Sequence, residues 1–327
     1  MTENFHKVYA YQNSTEILKR SSSGGAYMSL VDAFYKINNG VGHVYGVAFN
    51  EKLVPEYQCA KSAVEAAKFC GSKYVYCSCS NVINPIINDL IAGKPVLFIG
   101  TPCTVNTILQ RTKSLKEKLF TIDLICNGTP DIKVWQQYVL WLNGKYKSKV
   151  KSFEFRHKEN GNNNPYCSYA EFEDGQKVVD TYLTSSYTQL FLKRLIIRKA
   201  CFKCPYKNMD RTGDVTIGDF WGIKEAMPDY PQKREVSLVI ANTYMGEKLI
   251  HNGNNLTALQ ECDNDIYLKY QDNLRISRAC PEQYDKFWEE YDAYGINYVL
   301  TRYTNANLIG KVIYPIKKIK RKIFNRG

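Results

Sequence analysis

The chain has 327 residues, 44% hydrophobic and 23% charged, with a formal net charge of +12 and eleven cysteines. That composition describes a globular protein large enough to build its core without disulfide staples. The polar start MTENFHKVYAYQ lacks a signal peptide's basic and apolar regions, and no apolar run is long enough to span a bilayer. The expectation is a cytoplasmic protein in which cysteines serve as ligands, buried hydrophobes or redox thiols.

In chain order, Ser23–Gly40 reads as a helix with Ala26, Leu30, Phe34 and Ile37 on one face and Asn39-Gly40 as its stop. HVYGVAFN is a strand, AVEAAKF a short helix, KYVYCS a strand, and NPIINDLIAGK a helix closed by Gly93. PVLFIG is an apolar strand of the kind buried on both faces. TPCTVNTILQRT turns into a helix, LFTIDLIC is a second buried strand, and DIKVWQQYVLWLNGKY is a helix with Ile132, Trp135, Val139 and Leu142 facing inward. This alternation predicts βαβ units.

The texture changes after Val150. KSFEFRHK alternates like a half-buried strand, and YCSYAEFEDGQKVVDTYL reads as a hairpin about the two-residue pair Asp174-Gly175. SSYTQLFLKRLIIRKA is helical and leads to Cys201, while DVTIGDFWG and VSLVIANT are strands. The fold class expected is α/β, a largely parallel sheet with flanking helices plus an inserted antiparallel β-hairpin lobe. Three parts are expected: 1–150, α/β, with the SSGG segment and Cys103 and Cys126; 151–300, α+β, with the C-x-x-C and GDFWG motifs; and a basic tail, 301–327.

Cys201 and Cys204 form the C-x-x-C, and a thiolate site wants four ligands. Cys103 and Cys126 stand at the ends of the two buried strands, where parallel α/β sheets gather ligands. The turns beside them, GTPC and CNGTP, let backbone approach a group closely and aim N–H groups at sulfur. The alternative is zinc, whose small sites bring two close pairs of ligands. A pair split between two strand ends suits a cluster embedded in a larger fold. Cys77 and Cys79 are a rival pair on the predicted strand, and any one cysteine taken alone also fits a buried core role.

SSGG, KYVY, GKPVLFIGTPCTV, IDLICNGTP, FRHK and CFKCPYKNMDRTGDVTIGDFWG occur in that order between Ser22 and Thr243. In this the chain resembles the coenzyme F420 hydrogenase/dehydrogenase beta-subunit family, to which the F420-reducing hydrogenase beta subunit and 7-hydroxymethyl chlorophyll a reductase are related. The resemblance implies a [4Fe–4S] cluster on Cys103, Cys126, Cys201 and Cys204, paired with FAD. Cys77 and Cys79 do not match the family pattern. Thr104 stands where the family often has Gln, and Asn127 where it often has His. The ferredoxin module of some members is absent, so a separate electron donor such as a ferredoxin or a reduced deazaflavin is implied. Bacterial relatives of this type look like companions of surface-polysaccharide synthesis.

Ser22, Ser23, Gly24 and Gly25 open the first long helix, where free N–H groups favour an anion; a plain serine N-cap is the other reading. The resemblance favours flavin there. Lys73 and Arg156 are candidates to neutralise a phosphate or face the flavin ring, and Asp219 to order the turn or the cofactor. Trp221 is expected in the core. No catalytic residue is identified, and His43, His157 and the tyrosines stand as unranked proton donors.

From Arg302 to the end there are eight Lys/Arg and no acid, while the remainder carries only +4, 12 minus 8. That balance argues against a nucleic-acid binder. The tail reads either as a solvated helix or as a segment attached to an anionic membrane surface. The expected activity is an FAD- and [4Fe–4S]-dependent oxidoreductase; the alternative is a zinc- or cluster-stabilised binding protein without catalysis.

Overall fold

A computed structural model describes residues 6–158, 164–232 and 234–324, the side chains of 317 and 319–324 excepted. The first five residues and the last three of the basic segment lie outside the described residues. The strands are β1 Lys7–Tyr11, β2 His43–Phe49, β3 Pro55–Ala60, β4 Val96–Gly100, β5 Leu119–Leu124, β6 Val150–Glu154, β7 Tyr169–Phe172, β8 Lys177–Val179, β9 Val215–Asp219, β10 Ser237–Ala241 and β11 Gln260–Glu261. The helices are α1 Thr15–Lys19, α2 Ala26–Ile37, α3 Ala63–Ala66, α4 Ile83–Ile91, α5 Pro102–Arg111, α6 Ile132–Tyr146, α7 Ser186–Leu192, α8 Ile223–Ala226, α9 Tyr244–His251, α10 Tyr284–Tyr303 and α11 Leu308–Phe324.

The fold is α/β, as expected. Eight strands form one sheet in the order β11-β1-β10-β9-β5-β4-β2-β3. Its centre, β2-β4-β5-β9, is parallel, and the strands outside it run antiparallel. Val96, Leu97 and Phe98 of β4 are wholly buried, the burial on both faces that an apolar run without alternation demands. The sheet takes strands from both sides of residue 150. A separate antiparallel sheet, β6-β7-β8, forms the hairpin lobe. It packs with α6, α7 and α10 around Trp135, whose Nε1 donates to the Leu53 carbonyl at 2.7 Å. Phe49 stacks on that indole, and Phe153 and Tyr187 meet it edge-on.

Several local expectations are corrected. KYVY is not a strand: residues 73–79 are irregular. They are held by Tyr187 Oη donating to the Tyr74 carbonyl at 2.9 Å and by Tyr76 N–H donating to the Pro130 carbonyl at 2.9 Å. The inward face of α6 is centred on Val134, Trp135, Tyr138, Trp141 and Leu142, whereas Ile132 and Val139 are only half-buried. The Asp174-Gly175 hairpin has a three-residue loop. Phe172 N–H pairs with the Gln176 carbonyl, and Gly175 takes the left-handed conformation at φ +84°. α7 ends at Leu192, so the approach to Cys201 is an irregular segment containing Arg194 at φ +61°. β1 and β3 were not anticipated. α10 is broken at Gly295 (φ +74°, ψ −177°). No described helix is long and apolar enough to cross a membrane.

Candidate redox site

Cys103 sits at the second position of α5, immediately beyond β4. Pro102 opens that helix, where its missing N–H costs nothing. Gly100 leaves room for the Tyr57 hydroxyl to meet Thr104 Oγ1 at 3.0 Å; a Cβ there would lie 2.4 Å from both oxygens. Cys126 lies just past β5. Gly128, at φ +104°, curls the chain so that its N–H donates to Cys126 Sγ at 3.3 Å.

The C-x-x-C reaches this rim because residues 196–201 lie against 128–131. Asp131 N–H donates to the Ile196 carbonyl and Arg198 N–H to the Thr129 carbonyl, while Pro130 bridges Ile197. The Arg198 guanidinium covers the Tyr76 ring at 3.8 Å. A Cβ on Gly128 would stand 3.3 Å from Cys201 Cβ, so the two segments touch through the glycine. Cys201 and Cys204 flank the end of a short 3₁₀ turn, and Asn106 Nδ2 of α5 donates to Tyr206 Oη at 2.9 Å.

Two of the four expected thiols, Cys126 and Cys204, lie within electrostatic reach of Cys103 and Cys201. Burial, helped by Cys103 and Cys201 and opposed by the Gly128 N–H and Lys207, pushes the Cys126 thiol up to about 12. Cys204 is raised by burial first, then by Cys103 and Cys201. Lys207 is buried beside the same sulfurs. Burial lowers its ammonium pKa, while Cys126, Cys204 and Cys201 pull the other way. Hydroxyls also attend the group: Thr101 Oγ1 lies 3.2 Å from Cys103 Sγ, and Thr129 Oγ1 3.8 Å from Cys201 Sγ. Among the described residues no three His, Cys, Asp or Glu side chains converge on one point as a single metal ion requires.

Cys103 and Cys126 form part of the wall of a cavity of about 350 Å³. Ser22, Ser23, Gly25, Lys73, Arg156 and Asp219 line it too, so most of the expected flavin contacts come together at one place. Their chemistry is already partly engaged. Ser22 Oγ accepts from Ser72 N–H and Oγ at 2.7 and 2.9 Å, and Ser23 Oγ donates to the Val236 carbonyl at 3.1 Å. Lys73 Nζ donates to the carbonyls of Lys68, Phe69 and Cys70; burial lowers its pKa to about 8. Arg156 Nη1 meets Asp219 Oδ2 at 2.6 Å, with Nε donating to the Pro165 carbonyl and the guanidinium near the Tyr166 ring. Burial lowers the Arg156 pKa, but Asp219, Tyr74 and Tyr166 together outweigh it and hold the group above its ordinary value.

Gly24 is needed for packing. A Cβ there would lie 2.3 Å from the Tyr11 carbonyl oxygen and 2.4 Å from Ser237 N. Gly25 supplies the left-handed N-cap of α2 at φ +80°. Trp221, expected in the core, is 46% exposed and lines the cavity. Cys79 is a core residue beside Val82, Ile86 and Phe98; Cys77 packs against that core and also reaches the cavity wall. Both histidine candidates are engaged elsewhere: His43 Nδ1 pairs with Asp89 at 2.6 Å, and His157 pairs with Glu154 and stacks on Tyr169. The tyrosines that do line the cavity are Tyr27, Tyr57, Tyr74, Tyr76 and Tyr166.

Sequence reasoning missed Lys207 and the buried pair Asp123–Arg211. The latter had a signal, since an aspartate in the middle of the apolar run FTIDLIC must find a partner.

Residues 93–265 match the family model for the C-terminal region of the beta subunit in coenzyme F420 hydrogenase/dehydrogenase. A chain of the F420-reducing [NiFe] hydrogenase complex from Methanosarcina barkeri, solved as a xenon derivative, superposes with a TM-score of 0.54. The match covers 89% of this chain and 93% of that one at 16% identity, a likeness of fold. No curated protein matches the chain.

Proposed function

We propose that this chain, which belongs to the coenzyme F420 hydrogenase/dehydrogenase beta-subunit family, is an iron–sulfur flavoprotein oxidoreductase. The observation that carries the reading is the placement of Cys103 and Cys126 in the wall of a cavity of about 350 Å³, with the C-x-x-C segment brought to the same rim by the pairing of residues 196–198 with 129–131. That volume lies within the usual range of ligand pockets, roughly 300–1,000 Å³. The donor set fits a [4Fe–4S] cluster: four thiols, N–H and hydroxyl groups near sulfur, and the Lys207 ammonium to offset negative charge.

FAD is read into the cavity, whose wall includes Ser22, Ser23 and Gly25 at the start of α2 and the Arg156–Asp219 pair. When bound, a cluster and a flavin together couple one-electron transfer to two-electron reduction of an organic substrate. The chain's own part is to exclude water with Ile99, Leu124, Ile217 and Phe191, to orient Arg156 through Asp219 and Pro165, and to hold protons on the lining tyrosines. The electron donor is a one-electron carrier such as a ferredoxin, or a reduced deazaflavin. The substrate class we propose, on the resemblance alone, is a surface-polysaccharide precursor.

We keep the division into 1–150, 151–300 and 301–327 as the working organisation, with the basic segment attaching the protein to an anionic membrane face. Anaerobic purification followed by iron, sulfide and flavin analysis tests the reading. Brown protein with about four irons per chain and one FAD is expected. A colourless zinc protein would establish the non-catalytic alternative, and iron without flavin would leave the cluster as a structural staple.

A further inference from the structure

α11 is docked on the body by an unusual face. Gly310, Tyr314 and Lys318, four residues apart, form the inward side. A Cβ on Gly310 would lie 1.7 Å from the Asn305 carbonyl oxygen, so only glycine allows that approach. Tyr314 is buried and its hydroxyl donates to Asp180 Oδ1 at 2.8 Å; Lys318 Nζ donates to the Val179 carbonyl at 3.0 Å. At the N-terminal end, Asn307 Oδ1 accepts the Gly310 N–H at 2.7 Å. These contacts fix the rotation of the helix about its axis.

The same rotation turns the apolar residues outward. Leu308, Ile309, Val312, Ile313 and Ile316 recur at helical spacing, and they are between 40% and 83% exposed. An amphipathic helix of a globular protein normally does the reverse. A contiguous aliphatic stripe left in water marks a surface that meets something. The charge selects the partner: the 17-residue helix carries six Lys/Arg and no acid. The helix is too short and too charged to cross a bilayer, in keeping with the absence of any spanning helix among the described residues.

We propose that α11 is an interfacial membrane helix whose Leu308–Ile316 stripe enters the headgroup boundary of an anionic bilayer while its basic residues other than Lys318 engage the lipid charge. The inference rests on the reading of the basic segment as an attachment and adds that burial of the stripe, rather than charge alone, holds it. The oxidoreductase reading does not depend on it.

The test is flotation of the full-length, cofactor-loaded protein with vesicles of phosphatidylglycerol and phosphatidylcholine, or of phosphatidylcholine alone. One variant, I309S/V312S/I316S, keeps every charge; another, K317Q/K320Q/K322Q, keeps the stripe. The parent should bind anionic vesicles at least tenfold more tightly than neutral ones. Each variant should lose at least tenfold, with unchanged melting temperature and iron and flavin contents. Parent-like binding by the serine variant would overturn the stripe while leaving simple charge attachment. Absence of binding by the parent would overturn both. A dimer abolished by the serine substitutions, without vesicle binding, would assign the stripe to contact between copies instead. Loss of flavin or iron in the parent itself would count against the redox reading without touching the membrane result.

Discussion

Arg211 Nη2 meets Asp123 Oδ1 at 2.6 Å with both side chains shut off from solvent. Asp123 also accepts from Thr212 N–H, Gly213 N–H and Thr216 Oγ1, so the carboxylate is saturated. The pair ties β5, which leads to Cys126, to the segment after Cys204. Removing one partner leaves a buried charge alone, which costs about 3–5 kcal/mol. Asp123→Asn and Arg211→Met should each lower unfolding stability in urea by that much and reduce iron retention. An unchanged urea midpoint in both would show that the pair does not anchor the loop.

Serine at Cys103, Cys126, Cys201 or Cys204 should lower iron and sulfide and loosen the fold, because a bound group stabilises only the folded state. Serine at Cys79 should cost stability through the core it packs in and leave iron intact; serine at Cys77 should leave iron intact as well. Full iron and sulfide in Cys126→Ser would remove this ligand assignment.

The Arg156–Asp219 pair should matter to flavin more than to iron. Arg156→Gln removes a charge-assisted partner at the cavity wall, worth about 1.5–3 kcal/mol, so FAD affinity should fall tenfold or more. Fluorescence titration of the flavin-stripped protein measures this, and equal affinity in the variant would place the flavin elsewhere.

Lys73 should titrate near 8. Below that pH folded and unfolded chains both carry the proton, and burial penalises the folded one in full. As pH climbs from about 8 towards the ordinary lysine value, the unfolded chain holds more protons and stability rises. Wild type should therefore gain stability relative to Lys73→Met across this window. Reductive methylation with a carbon-13 label reads the titration directly; a resonance titrating at the ordinary lysine value would contradict the burial.

Gly24 is a poor probe of phosphate contact. Gly24→Ala drives a methyl into the backbone of β1 and β10, an overpacking that costs about 1–3 kcal/mol or more. Loss of folding together with loss of flavin is expected, as thermal unfolding would show. A stable Gly24→Ala protein lacking only flavin would return the glycine to the binding site.

The parallel centre was legible because β4 and β5 are apolar runs between clear helices, and the helix starting at Pro102 announces itself by the proline. The placing of Cys103 and Cys126 in one cavity wall was legible because strand ends in such sheets share a rim. β3 was hidden by Pro55 and Glu56, residues an edge strand tolerates because only β2 pairs with it. β1 was hidden because its partners lie more than 220 residues away. KYVY misled in the opposite sense: its tyrosines alternate like a strand, yet they serve the cavity and the lobe. Trp221 was assigned to the core on residue type alone, and type does not report which way a turn faces.

β1 lies between β10 and β11, so the first strand made is completed by two of the last. On the ribosome β1 has no partner until residues 237–241 have emerged. At about 5–20 residues per second, that is a wait of roughly 10–50 s. The Ser22–Gly25 turn is seated by the same event, since Gly24 lodges against Tyr11 and Ser237. The thiols, whose last member is Cys204, can meet before this closure; the serine turn of the cavity wall cannot be seated before it. Synthesis therefore allows the cysteine-bearing segments to assemble on a partly built chain, while the serine turn of the cavity wall is seated only after β10 has emerged.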